Sequence, residues 1–117
     1  MSVDSNPLPP CPDSPNCERV SRAFSATPAD ALFEQAQRAL QEMNPAQLSA
    51  QPADRRAQAV FRVFFFKDDV EIAVTPEGDG SALHIRSASR VGKSDLGVNR
   101  RRVERITADV LARLGVG

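Results

Sequence analysis

Apolar positions recur along this chain with two different periods. From Ala29 they fall at helical spacing: Ala29, Leu32, Phe33, Ala36, Ala39, Leu40 and Met43 form one stripe. Glu34, Gln37, Arg38 and Gln41 face the other way. Thr27-Pro28-Ala29-Asp30 supplies a helix start, with Thr27 as N-cap and Pro28 in the first helical position. Asn44-Pro45 stops the helix, because the residue before proline is pushed out of the helical region. A short strand over 47–51 follows, then a loop over 52–56. The period next shortens to two, predicting strands near 56–66, 69–75 and 82–88. A second helical stripe (Val103, Ile106, Val110, Leu111, Leu114) predicts a last helix over 97–114, with Arg101 and Arg105 toward water.

The alternation fixes a register that can be tested. A turn at Lys67-Asp68 pairs Phe65 with Val70, Val63 with Ile72 and Phe61 with Val74. A turn at Glu77-Gly78-Asp79-Gly80 pairs Ile72 with Ile85 and Val74 with Leu83. Both hairpins then put their apolar residues on one face. Two amphipathic helices can cover that face, so the expected fold is α+β. It is a two-layer sandwich: an antiparallel β-meander of three to four strands with two helices on one face.

The same register populates the opposite face. Glu71 falls opposite Arg86, Asp69 near Ala88 and Ala73 opposite His84, with Arg62, Phe64 and Phe66 on that side too. Exposed phenylalanines there predict a cover. The candidates are the Pro-rich N-terminal segment, a partner protein or a second copy of the chain.

Length and composition narrow the reading. At 117 residues the chain is one small domain. Residues 1–18 form a Pro-rich irregular segment packing on it, and 19–117 form the domain itself. Fifteen basic and fifteen acidic residues cancel, and there is no Trp or Tyr. No global field or stacking platform therefore attracts nucleic acid. No apolar run spans a membrane and no signal-peptide pattern is read, so the expected location is cytoplasmic. Cys11 and Cys17 fit either a small-loop disulfide or a pair of thiols, and thiols suit a reducing compartment.

Candidate chemistry concentrates between Arg86 and Arg102. The loop 92–99 leads into the last helix, where free N–H groups and Arg86, Arg90, Lys93, Arg100 and Arg102 could hold an anion. Ser89, Ser94, Asp95 and Asn99 add polar groups, and Ser94, Asp95 or Asn99 could cap the helix. The competing reading is internal: Asp68, Asp69, Glu71 and Asp95 could neutralise those arginines. Asn99 lies on the core side of the helix, so it must be paired. It would cap the helix and bond the 92–96 loop. The Gly92-Lys93 pair lacks Walker spacing. Two cysteines and the lone His84 make a poor zinc set, and no metal or cofactor is expected. The Asp68-Asp69-Glu71 cluster is expected to form ion pairs rather than a cation site. His84, Asp69, Ser87 and Ser89 could be neighbours, but no catalytic triad can be assigned.

Three blocks, in this order, resemble the DUF1499 family of unknown function: Cys11-Pro-Asp-Ser-Pro-Asn-Cys17, Asp68-Asp69-Val70-Glu71, and the stretch from Arg86 to Arg102. The resemblance implies no established activity. Proteins similar to it often have an export or membrane-anchoring segment before the Cys-Pro block. The expected function is a non-enzymatic binding or interaction module for a small anion or an acidic protein segment, as a monomer or homodimer. The alternatives are an enzyme using a cysteine or the acid–arginine cluster, and a structural subunit of an oligomer.

Overall fold

A computed structural model describes residues 6–13, 16–91 and 97–115. Its elements, in chain order, are β1 (Cys17–Phe24), α1 (Ala29–Glu42), β2 (Gln47–Gln51), β3 (Arg56–Val63), β4 (Phe66–Glu77), β5 (Gly80–Ser89) and α2 (Val98–Leu114). One antiparallel sheet runs in the order β1-β5-β4-β3-β2. Both helices pack on one face of it. The α+β reading holds, but the sheet has five strands rather than three or four.

The added strand is β1, which pairs with β5 at the sheet edge from Cys17↔Ala88 to Phe24↔Ser81. Its sequence, CERVSRAF, carries only Val20 and Phe24 as large apolar residues toward the helices. Too little alternation is present to mark a strand. Its register comes from β5 rather than from its own pattern.

The β4–β5 register is as expected: Ile72↔Ile85, Val74↔Leu83, Glu71↔Arg86, Asp69↔Ala88 and Ala73↔His84. The β3–β4 register is not. Ala59 pairs with Val70, Ala57 with Ile72 and Phe61 with Asp68, and the turn is Phe64-Phe65 instead of Lys67-Asp68. The slip is even, so the apolar face is preserved. The small Ala57 and Ala59 sit opposite the large Ile72 and Val70, within a core that also takes Leu32, Phe33 and Leu40. Phe66 now opens β4 and belongs to the helix-side alternation, not to the opposite face.

The helix starts also differ in detail. Pro28, in an extended conformation, is the N-cap of α1, with no side-chain cap bond. The Thr27 carbonyl instead accepts the Ser81 hydroxyl at 2.6 Å. Gly97, at φ +80°, is the N-cap of α2, so Asn99 does not cap it. Among the described residues no helix is long and apolar enough to cross a membrane.

Candidate functional site

The Arg86–Arg102 stretch is divided by strand alternation between two faces. On the helix side, Ser87 and Ser89 meet the first turn of α2. Asn99 is buried there: its Oδ1 accepts from Ser87 Oγ (2.6 Å), and its Nδ2 donates to Ser89 Oγ (2.9 Å) and the Asn16 carbonyl (3.1 Å). Arg102 Nη1 donates to Asn99 Oδ1 (3.0 Å) and Ser87 Oγ (3.1 Å) and pairs with Asp68 Oδ2 at 2.8 Å. Its guanidinium also lies 5.0 Å from the Phe61 ring centroid. Asp68, Ser87 and Asn99 are all buried. These bonds make a buried polar network tying α2, β4, β5 and the N-terminal segment, with the Arg102 charge paired to Asp68 as burial requires.

Asp69 and Arg90 form an exposed fork-to-fork pair, with both N–O distances 2.9 Å. Hydrogen bonding to Asp69 raises the Arg90 pKa further. Arg100 pairs with Glu104 along the helix surface. The acidic residues Asp68, Asp69 and Glu71 are thus each set against an arginine. Lys93, Ser94 and Asp95 lie outside the described residues.

The face away from the helices holds a depression of ≈ 480 Å³. Gln47 and Ser49 of β2, Gln58 and Val60 of β3, Asp69 and Glu71 of β4 and Arg86 of β5 line it. Cross-strand pairing explains the set, since Ser49, Gln58, Glu71 and Arg86 fall in one row across four strands. Arg86 approaches Glu71 at only 3.8 Å, and its Nε is buried with no acceptor among the described residues. Sequence reasoning named Arg86, Glu71 and Asp69. It missed Gln47, Ser49 and Gln58, because nothing in β2 or β3 fixed which residues would align with Glu71.

Next to that row, the N-terminal segment closes over the β1 side. A Cys11–Cys17 disulfide joins it to the start of β1, and among the described residues there is no free cysteine. Asn6 Nδ2 donates to the Val20 carbonyl (3.1 Å) and Ser21 Oγ (2.9 Å), while Arg19 donates to the carbonyls of Asn6 and Leu8. Leu8 is buried. His84, fully buried, lies between Ser21 Oγ (2.7 Å from Nδ1) and Thr75 Oγ1 (2.9 Å from Nε2). Burial, with Arg19 and Arg56 nearby, pushes its pKa down. Ser87 and Ser89 are on the opposite face of the sheet, so no triad forms with His84 and Asp69. Among the described residues no group of three or more His, Cys, Asp or Glu side chains could hold a metal.

The described part of the N-terminal segment does not cover the phenylalanines. Phe64, Phe65 and Phe66 are 87%, 98% and 51% exposed at the β3–β4 turn.

Comparison with known proteins finds solved structures of similar fold at low identity, three of which are described. Protein CV1439 from Chromobacterium violaceum is 12% identical, with a TM-score of 0.49, covering 86% of this chain and 94% of that one. TTHA0849 from Thermus thermophilus is 12% identical, with a TM-score of 0.37, covering 83% and 92%. CalU16 from Micromonospora echinospora is 11% identical, with a TM-score of 0.41, covering 84% and 88%. No function follows from likeness at this level. No curated protein matches the chain. One family model does, over residues 7–110, which takes in the disulfide segment, the sheet and all but the end of α2. The chain therefore belongs to the family described as "Protein of unknown function (DUF1499)".

Proposed function

We propose that the chain is a non-catalytic binding module whose ligand, a small anion or an acidic protein segment, sits on the open face of the sheet against Arg86. The observation that carries this reading is the Arg86 guanidinium: its Nε is buried without an acceptor, and its contact with Glu71 is long. A buried donor left unmatched is costly, and a shift of the guanidinium onto a ligand oxygen in the depression would remove that cost. The depression is within the usual size range of ligand sites, and Ser49 and Gln58 offer neutral hydrogen-bonding groups beside the arginine. The described residues flanking the loop between Arg90 and Asn99 are already engaged. Arg90 is engaged by Asp69, and Arg102 and Asn99 belong to the buried network.

The disulfide bears on where such a module works. Disulfides persist in oxidising compartments, which favours one of those over the cytoplasm.

Phosphate, sulfate and a short oligoglutamate peptide, titrated separately, should raise the melting temperature through linkage. Arg86→Gln should remove the rise while leaving Arg90→Gln responsive. No rise with any of the three in the unmodified protein refutes the proposal.

A further inference from the structure

The turn between β3 and β4 is apolar in a place where turns are normally polar. Phe64, Phe65 and Phe66 follow one another there, all exposed, and Val91, one residue beyond Arg90, is 56% exposed as well. Phe64 is held at φ +57°, a region that bulky side chains avoid and in which hairpin turns usually place Gly or Asn. The turn therefore keeps a phenylalanine where packing gives no return for it.

Behind the tip lies a second unusual feature. Arg62 and Lys67 are directly paired across β3 and β4, and Lys67 is joined to Arg90 through the backbone bond from Arg90 N–H to the Lys67 carbonyl. Like charges set opposite each other repel. Among the described residues Arg62 and Lys67 make no ion pair, whereas the nearest carboxylates in sequence, Asp68 and Asp69, are engaged by Arg102 and Arg90. The two cations therefore stand without a counter-charge beside an apolar tip.

We propose that this tip is a membrane-docking element: Phe64 and Phe65 enter the headgroup–acyl boundary of a lipid surface, and Arg62 and Lys67 contact anionic headgroups. The spacing suits that division. Each cation lies two residues behind a turn phenylalanine, or about 7 Å at the usual strand rise. Apolar groups of interfacial elements lie about 5–10 Å deep, which leaves the cations at phosphate level. Their long side chains can reach further still. A second copy of the chain fits less well. A two-residue turn presents a narrow projection, whereas a stable protein interface takes about 800 Å² from each partner. The inference is independent of the Arg86 ligand, since the two surfaces share no residue.

Flotation with vesicles tests it. The wild-type chain should float with vesicles of phosphatidylcholine containing about 30% phosphatidylglycerol, and less with phosphatidylcholine alone. Phe64→Gly/Phe65→Ser should lower partitioning by at least about tenfold. The same variant should keep its melting temperature, because neither side chain is packed and glycine accepts the positive φ. Arg62→Glu/Lys67→Glu should abolish the preference for anionic vesicles. Failure of the wild type to float overturns the proposal, as does flotation unchanged in the double phenylalanine variant. So does a dimer in light scattering that the double variant abolishes while no vesicles bind, which would make the tip a contact between copies.

Discussion

Asp68→Asn isolates what the buried network at the start of α2 contributes. The change keeps the side chain's shape and removes its charge. Arg102 then remains as a cation with its side chain only 8% exposed and no carboxylate beside it. Removing one member of a buried ion pair generally costs about 3–5 kcal/mol. Arg102 would retain Ser87 Oγ, Asn99 Oδ1 and the face of Phe61. Those partial substitutes place the expected loss near the lower end, about 3 kcal/mol. For a domain of this size that corresponds to a fall of roughly 12 °C in Tm. Asp69→Asn is the internal comparison. It breaks a pair of good geometry whose side chains are 46% and 41% exposed, and it should cost no more than about 1 kcal/mol. Urea unfolding at neutral pH would measure both, with an unchanged m-value confirming that the folded and unfolded states remain comparable. Asp68→Ala/Arg102→Met should recover most of the loss, because it removes both charges together. If Asp68→Asn costs no more than Asp69→Asn, the network does not act as a buried charge pair and the reasoning fails.

Three further outcomes follow from other parts of the fold. His84 has a folded pKa below its unfolded value of about 6.5, so the unfolded chain binds the proton more readily. Stability should be full above about pH 6.5 and should fall as pH drops from there toward the folded pKa; a His84→Gln variant followed by thermal unfolding should lose that slope. Cys11→Ser/Cys17→Ser opens a small covalent ring and should cost about 2 kcal/mol in urea unfolding, with no effect from reductant in the variant. Gly80→Ala would place a Cβ well inside contact distance of the Phe24 and Ser25 carbonyl oxygens, so it should destabilise by about 3 kcal/mol or more, whereas Gly78→Ala meets no neighbouring atom and should cost less.

Sequence patterning was informative wherever a residue's partners were close in the chain. The Gly78-Asp79 turn fixed the β4–β5 register, and with it the Glu71–Arg86 pair. The β3–β4 turn departs from the pattern because its chemistry runs against preference. Lys67-Asp68 is the polar candidate, yet the chain turns at Phe64-Phe65 and takes Asp68 into the interior with Arg102. The inward face of Asn99 was legible from helical periodicity, but its partners were not. Ser87 and Ser89 lie on the preceding strand, across a loop, and the Asn16 carbonyl comes from far back in the chain, so no periodic signal links them to Asn99. The groove was half legible for the same reason. Its Glu71 and Arg86 wall follows from one hairpin, whereas its Ser49 and Gln58 wall depends on an edge strand reached through α1 and on a slipped register.

The stretch from Arg86 to Arg102 reads in sequence as one basic motif, but alternation in β5 assigns its residues to two different tasks. Ser87, Ser89, Asn99 and Arg102 are turned to the helix side and satisfied there. Arg86 and Arg90 are turned to the open face, where Arg90 is held by Asp69 and Arg86 keeps an unmatched donor. Paired, buried groups stabilise a fold and have little left to offer a ligand, whereas a half-buried cation with an unmatched donor at the edge of an open depression does. The two halves should therefore separate under mutation. Changes at Ser87, Asn99 or Arg102 should lower stability whatever ligand is present. Changes at Arg86 should leave the melting temperature of the free protein nearly unaltered and remove only the response to anions. A basic motif recruited as a whole for ligand binding would show both effects at every position.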